Sequence, residues 1–579
     1  MNAYLAVLGD AGTDIRAMSA RVADALGPIG MRECYASGAM VLFGSDELAT
    51  LPLPGGILIG NLFTRDGNPV TESGRLPESP SPAHLRKYVL DTCWGSYLMI
   101  QPERQGAGSF TIMRSPAGAG NVPCVHSIRE GAGFLTSDIS LAIRANLYRK
   151  RIDWDAIARR LRYPGTKTQC TGLADVSELL PGCSLTLRGT EVSHGLEWSP
   201  WNHVAPERRY RDPHAAAAHI RDAVVHAVRA WSSVDHSILL ELSGGLDSSI
   251  VAACLDGHRV RVCCNVVTPV PGVDERHYAA LVAQQLGTEL HAEHLGFDKA
   301  RLEFAPTPDS VAPGMGPLQY AIDRTMEAAA ERHGATSFYS GGGGDSVFCY
   351  LRTAAPAVDA LRAGGLGAAI AATRDLAHLH QCTFWKAGRL ALSKLRRPPG
   401  APCRQNSAFL APGTGGVVPE QHPWFAAPTD ALPGDRERIF DLAGNQLFQG
   451  QAARGSRRPL RFPLLSQPVM EACLRTPSWA WIAGGRNRAA ARAAFSGMLP
   501  PAILSRQSKA TYMGYLGMLY QKNRSQIRGF LLSGRLASEG LLDSRAIEGF
   551  IATALPPRDQ AFLRMFELCM VENWVRHQP

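Results

Sequence analysis

The stretch Ser243, Gly244, Gly245, Leu246, Asp247, Ser248 and Ser249 constrains this chain more than any other feature. HSILLEL, residues 236–242, precedes it and has the length and composition of a buried strand. After it, Ile250, Val251, Cys254 and Leu255 share one face of a helix, with Gly257 as the expected C-terminal cap. A strand that turns through two glycines straight into a helix suits an anion. The glycines let the backbone come close, the serine hydroxyls and first helical amides donate hydrogen bonds, and the helix dipole favours negative charge. An aspartate in such a cradle needs a cation between itself and the anion. Magnesium fits, because it takes one or two carboxylates together with substrate phosphates.

A second loop, Ser340, Gly341, Gly342, Gly343, Gly344 and Asp345, follows a short strand expected at residues 336–339. Asp345 is a second candidate magnesium ligand, opposite Asp247. Neither loop carries the G-x-x-x-x-G-K-[ST] pattern, which excludes the phosphate loop of kinases and GTPases. The first has the form of a pyrophosphate loop, found in enzymes that split ATP between its α and β phosphates. Between the loops a buried strand at 260–267 ends in Val267, a candidate nucleotide contact. A helix from Asp274, with Tyr278, Leu281, Val282 and Leu286 at helical spacing, stops at Gly287, and another helix covers 317–333. This alternation implies a parallel sheet with ligand loops at the C-terminal ends of its strands.

The first 200 residues read instead as short strands, at 38–44, 55–63 and 96–100, with a few helical patches. The polar segment WSPWNHVAPERRYRD places a boundary near residue 206, dividing the chain into 1–205 and 206–579. Beyond 350, residues 355–395 and 436–453 look helical, and the Pro- and Gly-rich 397–434 between them is expected to be irregular or mobile. With 579 residues, 45% of them hydrophobic, the chain exceeds what one compact core usually holds.

The formal charge of +9 invites a nucleic-acid reading, which the composition opposes. Of 60 basic residues only eight are lysine: Lys87, Lys150, Lys167, Lys299, Lys386, Lys394, Lys509 and Lys522. So large an arginine excess, spread along the chain, reads as compositional bias. The local runs at 386–397 and 454–461 read as solvated faces or buried ion-pair clusters. Thirteen cysteines include no CxxC pair and no zinc spacing, and Cys263 and Cys264 read as small buried hydrophobes. No basic-then-apolar leader opens the sequence and no run reaches the roughly 18 apolar residues of a membrane span. A reducing, cytoplasmic setting is expected.

Together the two loops resemble the synthetase domain of the asparagine synthetase superfamily. LLPG at 179–182 and Trp198 resemble the end of that family's amino-terminal domain; RFPLLS at 461–466 and GGRNRAAARAAFSGMLPPAILSRQSK at 484–509 resemble its later segments. The resemblance implies an α/β chain: a degenerate N-terminal-nucleophile, glutaminase-like αββα domain, then a parallel-sheet ATP-binding synthetase domain with a helical C-terminal part. It implies ATP, with Mg2+ held by Asp247 and Asp345. Nucleotide contacts fall to Ser243, Gly244, Gly245, Leu246, Asp247, Ser248, Ser249, Val267, Ser340, Gly341, Gly342 and Arg488, with Arg492 a further candidate. Lys509 matches the family's catalytic lysine, which stabilises charge on the α-phosphate and on the reacting carbonyl.

Departures from the family narrow the expectation. Glutamine-dependent members carry a catalytic cysteine directly after the initiator methionine; here the residue is Asn2, an amide that cannot act as nucleophile. Where asparagine synthetases have glutamate and β-lactam synthetases tyrosine, this chain has Gly342, expected to leave room for a larger acceptor. SGGGGD followed by Val347 and Phe348 is similar to the lasso peptide cyclases, which join a peptide's N-terminal amine to an Asp or Glu side chain. Such an amine, with a pKa of about 8, needs less help from a dedicated base than ammonia does. The expected substrate is then a precursor peptide, and the expected partners are a leader peptidase and a leader-recognition protein, with neither nucleic acid nor a membrane span. The alternatives are an asparagine or β-lactam type synthetase on a small amino acid, a tRNA-modifying enzyme using Cys349, and a non-catalytic partner that retains the fold.

Overall fold

Along the strand Tyr4–Leu8 every side chain is buried, but alternate residues serve different cores. Tyr4, Ala6 and Leu8 pack with Ile57, Ile59, Leu98 and Ile100, whereas Leu5 and Val7 share a core with Val22 and Leu26 of the helix Ile15–Leu26. The computed structural model describes residues 3–9, 15–77, 81–103, 109–118, 122–270, 274–400, 402–449, 453–507, 511–555 and 559–579. Among these, strands from Tyr4 to Leu196 form two six-stranded sheets with antiparallel pairing throughout. The two sheets face one another across the first core, with helices on their outer faces, so the first half is an αββα sandwich.

The second half begins with helix α1, Pro213–Val234, capped by the Asp212 carboxylate. There follow strand β1 (Ile238–Glu241), helix α2 (Leu246–Cys254), strand β2 (Val260–Val267), helix α3 (Arg276–Leu286), strand β3 (Leu290–His294), helix α4 (Pro317–His333) and strand β4 (Ser337–Ser340). Helices α5 (Gly365–Leu379), α6 (Phe384–Arg396) and α7 (Pro433–Gln449) precede the edge strand β5, Leu460–Arg461. The five strands are parallel and lie in the order β3-β2-β1-β4-β5. Ile238, Leu239 and Leu240 of β1 are all fully buried, because both faces of the sheet are covered. Ile238 and Leu240 share a core with α1, α2 and α3; Leu239 packs with Met326 and Ala329 of α4. The chain is therefore mixed α/β, two antiparallel sheets followed by a doubly wound parallel one.

Several local expectations need correction. Gly257 does not cap α2, which ends at Cys254; it starts a short turn, and a Cβ there would lie 2.5 Å from the Leu286 carbonyl. Gly287, by contrast, does close α3, in a left-handed conformation at φ 69°. Strand β3 escapes sequence reading because LHAEH is a half-polar edge segment, and β5 because it has only two residues. Residues 402–432 are irregular, as expected, yet anchored: Trp424 is 1% exposed, the Trp201 indole donates to its carbonyl, and His422 bonds Gln446. Both readings of the charge runs occur. Arg454 is buried against Glu241 and Asp323, whereas Arg389 and Arg396 on α6 are exposed.

The two halves are joined through packed aromatic rings. Phe63 and Trp94 meet Trp231 of α1 edge-on, with centroids 5.1 and 6.0 Å apart. The Arg461 guanidinium stacks over the same Trp231, 4.4 Å from its ring, and holds Asp235 through bonds of 2.9 and 3.0 Å. Tyr339 of β4 donates to Asp235 at 2.8 Å, and burial pushes its phenol well above the ordinary value. One buried ion pair thus ties the approach to β1, strand β4 and strand β5 together. Arg461→Ala leaves Asp235 buried and uncompensated, and should cost about 3–5 kcal/mol. Urea unfolding of the full chain checks this; an unchanged midpoint would show the pair to be dispensable.

Candidate active site

Strand order reverses between β1 and β4, and both glycine loops leave the sheet at that point. In the first, Gly244 adopts φ 72°, and a Cβ on it would lie 2.7 Å from the Ala279 nitrogen of α3. Gly245 is the N-cap of α2. Ser243 and Ser248 hold the turn, hydroxyl to hydroxyl, at 3.0 Å, and Gly245 N donates to Ser243 at 3.2 Å. Ser249 is fully buried and its hydroxyl has no partner among the described residues. Leu246 is likewise packed, 4% exposed. Val267 ends β2, on the side of β1 away from the second loop.

The glycine run of the second loop is packed, not slack. A Cβ on Gly341 would lie 2.5 Å from the Ser248 nitrogen, and one on Gly344 2.5 Å from the Asp247 carboxyl carbon. A Cβ on Gly343 would strike Leu465 at the same range. The room expected beside Gly342 is taken: a Cβ there would lie 2.8 Å from the Phe462 ring. The neighbour at this position is an apolar ring from a distant segment.

Asp247 and Asp345 come together as expected, but on an unexpected partner. One terminal nitrogen of Arg488 lies 2.9 Å from both Asp247 oxygens and 3.1 Å from Asp345 Oδ1. Arg488, expected to contact nucleotide, here bridges the two carboxylates. Their convergence on one guanidinium nitrogen places both carboxylates within reach of one cation. Among the described residues no three His, Cys, Asp or Glu side chains gather as a metal site, so an ion here would complete its shell with phosphate and water oxygens, as magnesium does. The residues present therefore fit Mg2+. Arg492 is committed elsewhere, donating to the carbonyls of Asn487, Ile503, Leu504 and Arg506.

Lys509 and Asn2 lie outside the described residues. Sequence reasoning missed Arg506, whose guanidinium donates to the Gly244 carbonyl at 2.7 Å, pairs with Glu275 and covers the Tyr278 ring. It also missed Asp441 of α7, which accepts from Ser346, the residue after Asp345. Partial burial and the like charge of Asp345 push the Asp441 carboxyl up. Neither had a local signal, since both partners are distant in sequence. Cys349 is 2% exposed and burial pushes its thiol up to about 12, surroundings unlike the exposed, electropositive ones that activate a catalytic cysteine.

Residues 219–576 match the family model for asparagine synthase. No curated protein matches the chain. Among solved structures, the allosteric regulatory enzyme of purine biosynthesis is similar over 58% of this chain and 89% of its own, at 9% identity and a TM-score of 0.23. Glutamine phosphoribosylpyrophosphate amidotransferase from B. subtilis, complexed with ADP and GMP, is similar over 50% of this chain and 65% of its own, at 10% identity and a TM-score of 0.21.

The contact between the loops yields a direct test. Gly341→Ala must push the second loop off the Ser248 backbone and should weaken ATP binding at least ~10-fold without unfolding the chain. Calorimetric titration with circular dichroism reads both; full affinity in the variant would show that the close contact is not needed.

Proposed function

This chain belongs to the asparagine synthase family, and on that premise we propose that it closes a macrolactam ring in a ribosomally made peptide, as a lasso peptide cyclase does. The family makes it an ATP-dependent amide-forming ligase. The pairing of Asp247 with Asp345 between two interlocked glycine loops supports the ATP-dependent step, and the observation that carries the finer reading is Gly342 within SGGGGD. The site fits this: Gly342, where asparagine synthetases have glutamate, carries no carboxylate and lies against the apolar Phe462 ring, a poor match for a free amino acid's ammonium and a fair one for peptide.

In the proposed reaction an Asp or Glu side-chain carboxylate of the peptide attacks the α-phosphorus of ATP. The bond between the α-phosphorus and its bridging oxygen breaks, pyrophosphate leaves, and an acyl-adenylate forms. Ser243, the Gly245 turn and the first amides of α2 hold the departing pyrophosphate. Magnesium, when bound to Asp247 and Asp345, neutralises phosphate charge. The peptide's N-terminal amine then attacks the acyl carbon, AMP leaves with the bonding pair, and one proton passes to solvent. Arg506 fixes the Gly244 carbonyl and so the shape of the first loop. Lys509, three residues further along, stabilises the charge that builds on the α-phosphate and on the tetrahedral oxygen.

The domain ending near residue 205 serves as a scaffold in this reading, since Asn2 offers no nucleophile. A leader peptidase exposes the amine, a leader-recognition protein delivers the peptide, and the setting is cytoplasmic. Among the described residues no helix is long and apolar enough to cross a membrane. The protein incubated with ATP, magnesium and candidate core peptides should yield AMP and a peptide lighter by one water. Asp247→Asn should lower AMP release by about 10²–10³. Turnover of free aspartate or another small amino acid alone would contradict the peptide assignment.

A further inference from the structure

Arg488 is held in an unusual backbone state. It opens helix α8 (Ala489–Ala494) with φ 53° and ψ 35°, a left-handed conformation that side chains other than glycine rarely adopt. Before it runs a small hairpin, strand β6 (Ile482–Ala483) against strand β7 (Arg486–Asn487), turning through Gly484 and Gly485. That turn is fastened to α5: Gly484 N donates to Asp375 at 3.1 Å, and a Cβ on Gly485 would lie 2.8 Å from His378. The guanidinium is 8% exposed, sits 5.2 Å from the Tyr350 ring, and has its Nε buried with no hydrogen-bond partner among the described residues.

A strained backbone and a desolvated, incompletely bonded guanidinium persist only when the surroundings over-determine them. Here the cause is electrostatic. One nitrogen, with two hydrogens, faces three carboxylate oxygens within 3.1 Å, so it acts as a shared charge more than as a set of hydrogen bonds. Two carboxylates at such range repel each other unless a cation stands between them. A divalent ion bound to both would stand against the guanidinium as a like charge, so the two cannot hold the pair together. A guanidinium released from this place would pair with phosphate oxygens held by the first loop, whose helix begins with Leu246 and Asp247.

We infer that Arg488 is an internal counter-cation that exchanges with the metal. In the nucleotide-free protein it holds Asp247 and Asp345 in place of a divalent ion, and it yields them when nucleotide phosphates arrive to receive it. This rests on the reading of the two loops as an ATP site. It makes metal and nucleotide binding cooperative, so that the free protein takes up divalent ions poorly and Arg488 positions the pair rather than taking part in bond making.

The test uses the full-length protein and Mn2+ followed by paramagnetic resonance, with no nucleotide present. Arg488→Gly, which suits the left-handed backbone, and Arg488→Met should both bind Mn2+ roughly tenfold or more tighter than the parent, while Arg488→Lys, which keeps a cation, should bind it as weakly as the parent does. At saturating Mn2+, the affinity for α,β-methylene-ATP should fall roughly tenfold in the Gly and Met variants. Mn2+ affinity unchanged in both would overturn the exchange. Tighter Mn2+ with unchanged nucleotide affinity would overturn the transfer of Arg488 to phosphate. Failure of the parent protein to bind nucleotide would overturn the ATP reading and not the counter-cation, because the Mn2+ measurement contains no nucleotide.

Discussion

Where the second glycine loop crosses the first, there is no room for a single added carbon: Gly341 faces the Ser248 nitrogen and Gly344 the Asp247 carboxylate. That approach exists because β1 and β4 are neighbours across the reversal of strand order, their C-terminal ends in register from Ile238 opposite Ser337 to Glu241 opposite Ser340. Each loop alone would be an ordinary turn. Pressed together they bring two acidic residues, about a hundred positions apart in the chain, onto one guanidinium. Any loosening of the parallel sheet separates those carboxylates, so the chemistry depends directly on the core beneath β1.

That core is not confined to the second half. Trp231 touches Phe63 and Trp94 from the antiparallel sandwich on one side and Arg461 on the other. Arg65 from the sandwich pairs with Glu471 at 2.7 Å, and the Trp198 indole donates to the same carboxylate. The final helix, Phe562–Arg576, returns to the sandwich, where Trp574 packs against Gly172 so tightly that a Cβ would lie 2.7 Å from its ring. The antiparallel sandwich thus forms one wall of the hydrophobic core on which the parallel-sheet half is built.

How much was legible in the sequence follows from the range of each interaction. The two loops, the buried strands 260–267 and 236–242, and the helix at 317–333 were readable because their signals are local: apolar runs, glycine turns and helical spacing. The pairing of Arg488 with the carboxylates was not, since nothing near GGRN indicates partners some 140 and 240 residues earlier. Gly342 shows the same limit from the other side. Its missing side chain suggests space, but whether space exists depends on Phe462, which arrives on a segment beyond five intervening α-helices. Edge strands β3 and β5 were missed because half-exposed or two-residue strands carry too little alternation to register.

The central claim is that a peptide side-chain carboxylate, not a free amino acid, is adenylated across these loops. Labelling that carboxylate with oxygen-18 tests it most directly, because the oxygen that attacks phosphorus stays with the nucleotide when the amide forms. The account predicts that AMP released during ring closure carries one labelled oxygen per turnover. Unlabelled AMP, or label appearing in inorganic phosphate, would contradict it.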